Sequence, residues 1–122
     1  MRTLLVLLLL LLPPLARSAE PAPQAKQEIA HLLDYLSRSG CQFNRNGTWY
    51  GPAPAVDHLK QKYEYLLKRG LVGSAEDFIA RAATESSMSS KPYQVKCEAQ
   101  APVQAGPWLR AELARYRSGT KP

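Results

Sequence analysis

CQFNRNGTWY, residues 41–50, decides the fold. Its two ends are β-prone, and Asn46-Gly47 between them is the preferred two-residue type I′ turn, in which both central positions take positive φ. A short antiparallel hairpin is expected here. A two-stranded ribbon is marginal alone, so it needs a third strand and a covering layer. The third strand is predicted where Tyr93, Val95 and Cys97 alternate with Gln94 and Lys96, the pattern of a strand with one buried face.

Cys41 opens the hairpin and Cys97 closes the third strand, and the chain has no other cysteine. In an oxidising compartment such a pair is most simply a disulfide. A redox-active pair wants close Cys-x-x-Cys spacing, which is absent.

The covering layer is helical. Upstream, Ile29, Leu32, Leu33 and Leu36 recur at helical spacing from Ala25 onward, with Gly40 closing the helix. Downstream, a second helix is expected over residues 55–69 after Pro52 and Pro54, with Val56, Leu59, Tyr63, Leu66 and Leu67 as its stripe and Gly70 as its stop. Ser74-Ala-Glu-Asp77 resembles a capping box and predicts a third helix ending near Thr84, with Phe78 and Ile79 inward. After a Pro- and Gln-containing loop over 98–106, Pro107 can occupy the first turn of a last helix whose inward side is Trp108, Leu109, Leu113 and Tyr116. The expected fold is α+β: about four helices packed with a small three-stranded antiparallel sheet, in the order α-β-β-α-α-β-α, with one disulfide.

Residues 1–18 read as a secretory signal peptide. Arg2 supplies the positive start, Leu4 to Leu12 the apolar stretch, and Pro13-Pro14 precede a small-residue cleavage region, with the cut after Ser18 or Ala19. The apolar run is about 14 Å as helix, too short for about 30 Å of hydrocarbon, so the mature form is expected to carry no transmembrane segment. A disordered leader over 19–24, a single domain over 25–117 and a disordered tail over 118–122 complete the expected organisation. The whole-chain charge is +6 and falls to +4 when Arg2 and Arg17 leave with the signal. The basic residues are dispersed, so no dedicated nucleic-acid binding is expected.

Phe43-x-Arg45-Asn46-Gly47, Ala55-x-x-His58-Leu59 with Lys62, Ser74-Ala-Glu-Asp77-Phe78-Ile79, and the serine run into Lys91-Pro92-Tyr93-x-Val95 occur in that order. This set resembles the YfeK-like family of small exported bacterial proteins, over residues 29–113. The resemblance implies a periplasmic home and no assigned activity. Similar proteins often carry Gly where this chain has Ser90.

Three chemistries are weighed. Ser86, Ser87, Ser89 and Ser90 with His58 suggest a small envelope hydrolase, since serine needs a base within hydrogen-bond reach. The Gly-x-Ser-x-Gly elbow and the Ser-x-x-Lys motif are both missing. His31 with Asp34, or His58 beside Asp57, gives at most a pair of metal ligands on one helix, so neither metal nor cofactor is expected. Phe43, Trp49, Tyr50 and Tyr93 could form a stacking platform on the small sheet, although aromatics in a core this small are usually packing. The preferred reading is a non-enzymatic binding or interaction module of the cell envelope. Arg45, His58, Lys62, Ser87 and Lys91 would contact an anionic ligand, or else the partner is an envelope protein.

Overall fold

A computed structural model describes residues 20–119. The expected signal peptide and the last three residues of the expected tail lie outside this range. The first helix, α1, spans Pro23–Arg38. It begins two residues before the expected boundary because Pro23 sits in the first turn, where a missing N–H leaves no intrahelical bond unmade. Ile29, Leu32 and Leu36 form its buried stripe. Gly40, at φ +67°, reverses the chain into the sheet.

Strands β1 (Gln42–Arg45) and β2 (Thr48–Tyr50) pair antiparallel around the expected turn, with Asn46 at φ 54° and Gly47 at φ 86°. Strand β3 (Gln94–Lys96) pairs antiparallel with β1, placing Phe43 opposite Val95 and Gln42 opposite Lys96. Cys41 and Cys97 lie one step beyond that last pair, so the disulfide continues the ladder at a Cα–Cα distance of 4.3 Å.

The sheet has four strands, not three. Val103–Gln104 forms β4 within the segment expected to be loop, and the order is β2-β1-β3-β4. Both residues are exposed, so no burial alternation announces the strand. It forms because Val95 pairs with Val103 on the free edge of β3.

Helix α2 spans Pro52–Lys68 and begins at the first proline rather than after the second. Helix α3 (Ala75–Phe78) is capped by Ser74, whose Oγ accepts from the Asp77 N–H at 3.1 Å. Asp77 is one methylene shorter than the usual Glu, and its Oδ2 accepts from the Gly73 N–H at 2.9 Å instead of from the cap residue itself. The segment continues as a π-helical turn, Ile79–Ala83, where the Thr84 hydroxyl donates to the Ile79 carbonyl at 2.7 Å.

Helix α4 spans Ala105–Ser118. It therefore takes in the first residue of the expected disordered tail, and Gly119 ends it in the left-handed region. Leu109 and Leu113 are buried as expected, whereas Tyr116 is 40% exposed and stacks on His31, with ring centroids 4.0 Å apart. Glu112 goes inward in its place, at 1% exposure. Its carboxylate meets His31 Nε2 at 2.7 Å and Arg115 Nε at 2.8 Å. Glu28, also buried, accepts two bonds from the Arg117 guanidinium, which also reaches Glu76. Pairing is what makes these carboxylates tolerable in the interior, and it clasps α1 to α4.

Two outcomes are expected. Reducing the disulfide, or replacing both cysteines by alanine, costs roughly 2–4 kcal/mol and lowers Tm by on the order of 10–20 °C; a melting temperature indifferent to reductant contradicts it. Ser90 lies at φ 58°, which costs an L-residue with a side chain about 1–2 kcal/mol. Ser90→Gly should therefore raise stability by about 0.5–1 kcal/mol in urea titrations, after glycine's greater chain entropy is subtracted.

Candidate functional site

The site is built on the imidazole of His58, carried on the face of α2 that meets β1. Arg45, the last residue of β1, donates from Nη1 to His58 Nδ1 at 2.5 Å. A guanidinium can only donate, so Nδ1 accepts and the ring proton resides on Nε2. That N–H points at the Tyr93 hydroxyl, 3.0 Å away. Lys62, one turn beyond His58, donates from Nζ to the same hydroxyl at 3.1 Å and to the Glu85 carbonyl at 3.0 Å. The result is a continuous chain from Arg45 through His58 and Tyr93 to Lys62.

This setting fixes protonation. His58 is pushed down to about 4, first by burial and then by the charges of Arg45 and Lys62, so the imidazole is neutral at pH 7. Burial also lowers Lys62, with Glu85 opposing that shift and Arg45 adding to it. Burial raises Tyr93, partly offset by Arg45.

Two recesses lie on either side of the chain. One, of about 80 Å³, has Arg45, Tyr50, Pro54 and His58 among its lining and buried Leu36, Ala83 and Leu109 at its floor. The other is a more open groove of about 350 Å³ lined by His58, Gln61, Lys62, Tyr65, Leu66, Arg81 and Ser87. No carboxylate lines either recess. The π-helical turn serves both, sending Ala83 to the first and Arg81 to the second.

Of the residues expected at a site, Arg45, His58 and Lys62 are therefore brought together. Ser87 joins Lys62 on the groove, while Lys91 is exposed and lines neither recess. Tyr93 was expected only as a strand residue or a stacking aromatic, yet it is the hub. A buried tyrosine needs a partner for its hydroxyl, and that rule was the available signal. Arg81 and Gln61 were missed because neither belongs to any motif. The stacking platform does not form: Trp49 pairs with Asn44, one step out of phase with Phe43 and Tyr50, and so lies on the opposite sheet face.

Ser86 and Ser89 hold a turn. Ser86 is buried, and its backbone N–H donates to the Lys91 carbonyl at 3.0 Å, closing the turn. Asn46 pins that turn to the hairpin: its Nδ2 donates to Ser86 Oγ at 3.2 Å and its Oδ1 accepts from Ser89 Oγ at 2.5 Å. The Arg-Asn-Gly turn and the serine run are thus in direct contact. None of the serine hydroxyls bonds to His58, whose two ring nitrogens are both engaged.

A family model for a family of unknown function, DUF5329, matches residues 23–117. The chain belongs to that family. The matched span runs from the first residue of α1 to the penultimate residue of α4, so this family's domain includes both recesses and the Glu28–Arg117 clasp. No curated protein and no solved structure matches the chain.

A neutral His58 gains a proton more readily in the unfolded chain than in the fold. Stability should therefore be flat above about pH 6.5 and fall as pH drops from 6.5 toward 4, by on the order of 1–3 kcal/mol after allowance for solvent screening. Thermal melts between pH 7 and 4.5 test this, and His58→Asn should flatten the slope.

Proposed function

We propose that the protein is an exported, non-enzymatic binding module of the bacterial cell envelope, and that it binds an anionic ligand at the Arg45–His58–Tyr93–Lys62 chain. One observation carries the reading. Arg45, Lys62 and Arg81 face two concave surfaces that no carboxylate lines, and among the described residues none of the three forms an ion pair. Elsewhere the buried carboxylates Glu28 and Glu112 are all paired. Positive charge left over at a concavity is a site for a negative ligand.

The non-enzymatic half rests on His58. A general base needs a free lone pair, and the one on Nδ1 is occupied by Arg45. Export is supported by the signal-like sequence of residues 1–18, by a disulfide suited to an oxidising compartment, and by the resemblance to YfeK-like exported proteins.

The test is a thermal-shift screen of the oxidised protein against phosphate, acetate, citrate and peptidoglycan fragments, with divalent cations as a counter-panel. An anion at a hundred times its Kd should add about 2.7 kcal/mol to folding, several degrees for a domain of this size. Lys62→Ala and Arg45→Gln should each weaken binding at least tenfold. Shifts that survive in the double variant, or that arise only with cations, would sink the reading.

A further inference from the structure

The smaller recess carries more information than its charge. Its floor is core, with Leu36, Ala83 and Leu109 all at 2% exposure or less, and its walls add Phe43, Ala55 and Leu59. Against these apolar surfaces stands one guanidinium. Arg45 spends two of its five N–H donors, on His58 Nδ1 and on the Tyr50 hydroxyl at 3.4 Å, and lies over the Tyr50 ring at 4.9 Å. The remaining donors have no carboxylate to meet among the described residues. Tyr93 adds a second polar group: its oxygen accepts from His58 and Lys62, which leaves its own proton to donate.

We infer that this recess is the binding site for a small monocarboxylate with an apolar body, a short acyl chain or a single aromatic ring. The carboxylate meets the Arg45 guanidinium in the bidentate geometry that Arg favours, and the hydrocarbon lies against Leu36, Phe43, Leu59 and Leu109. The inference rests on the anion-binding reading and narrows its ligand. Size follows from volume. About 80 Å³ accommodates on the order of six water-sized atoms, far less than the several hundred cubic ångströms of a drug-sized site. With the carboxylate on Arg45, the hydrocarbon left to be buried, five carbons in hexanoate and six in benzoate, is at the limit of what fits. Polar anions such as phosphate would leave the apolar walls wet and forfeit the gain from burying them.

Calorimetric titration of the oxidised protein with acetate, butyrate, hexanoate, octanoate and benzoate at fixed ionic strength, beside phosphate and 1-hexanol, tests it. Affinity should rise about fourfold per added methylene up to roughly hexanoate and then level off. Hexanol should bind at least tenfold more weakly than hexanoate. Ala55→Leu, at a half-buried position on the recess wall, should abolish the chain-length gain without touching the Arg45 hydrogen bonds. Acetate and hexanoate binding equally, or phosphate outbinding every carboxylate, overturns the inference while leaving an anion site. Hexanol matching hexanoate overturns the carboxylate assignment. An absence of binding by every anion overturns the inference and the anion-binding reading together.

Discussion

Tyr93 is held from three directions, and much of the structure depends on that. Its N–H donates to the Thr84 carbonyl at the end of the π-helical turn, and its own carbonyl accepts from the Ala105 N–H at the start of α4, both at 2.9 Å. Its side-chain hydroxyl receives Lys62 and His58 from α2. One residue thus fixes the entry to β3, the start of the last helix and the orientation of the His58 ring. The buried ring makes the arrangement mutually enforcing, because a tyrosine this deep needs hydroxyl partners and the polar groups need a shared acceptor.

Charge is partitioned across the molecule. On the α1–α4 side, Glu28 and Glu112 are buried and their negative charges are met by Arg117, Arg115 and His31. Around α2 and the hairpin, by contrast, the hydrogen bonds of Arg45 and Lys62 go to neutral acceptors, an imidazole lone pair, two phenols and a backbone carbonyl, and the Glu85 charge acts on Lys62 without a hydrogen bond to it. The first arrangement is self-sufficient and holds helices together. The second leaves attraction unspent, and this asymmetry separates a structural ion-pair network from a surface suited to a ligand.

How much of this was legible depends on the range of the interaction. Local chemistry read directly: Asn46-Gly47 as a positive-φ turn, Ser74 as a cap, Gly40 as a stop, and Lys62 one turn from His58. Strand β4 was not legible, because two exposed residues carry no periodicity and exist as a strand only by pairing with β3. Helix starts at Pro52 and Ala105 were misplaced by two or three residues, since proline reads as a breaker and equally suits a first turn. The burial of Glu28 and Glu112 carries no local signal, for Arg117 and His31 lie 89 and 81 positions away. The same holds for the site. Arg45, His58 and Lys62 were nameable as polar groups in matching segments, but the acceptor that joins them sits 31 residues beyond Lys62 and was read as packing. Lys91 shows the converse, since a basic residue in a matching motif need not line a recess.

The π-helical turn at Ile79–Ala83 amounts to one residue more than an α-helix would need to cover the same ground. That surplus residue sets the phase between Phe78, locked in the core, and Thr84, which anchors Tyr93. Loss of one residue here would restore regular winding over the same ground. The wide turn in which the Thr84 hydroxyl reaches the Ile79 carbonyl would close, and only the residues within it would change phase. In this stretch chain length is part of the specification, alongside the buried side chains of Ile79, Ala82 and Ala83 that the turn presents to the core.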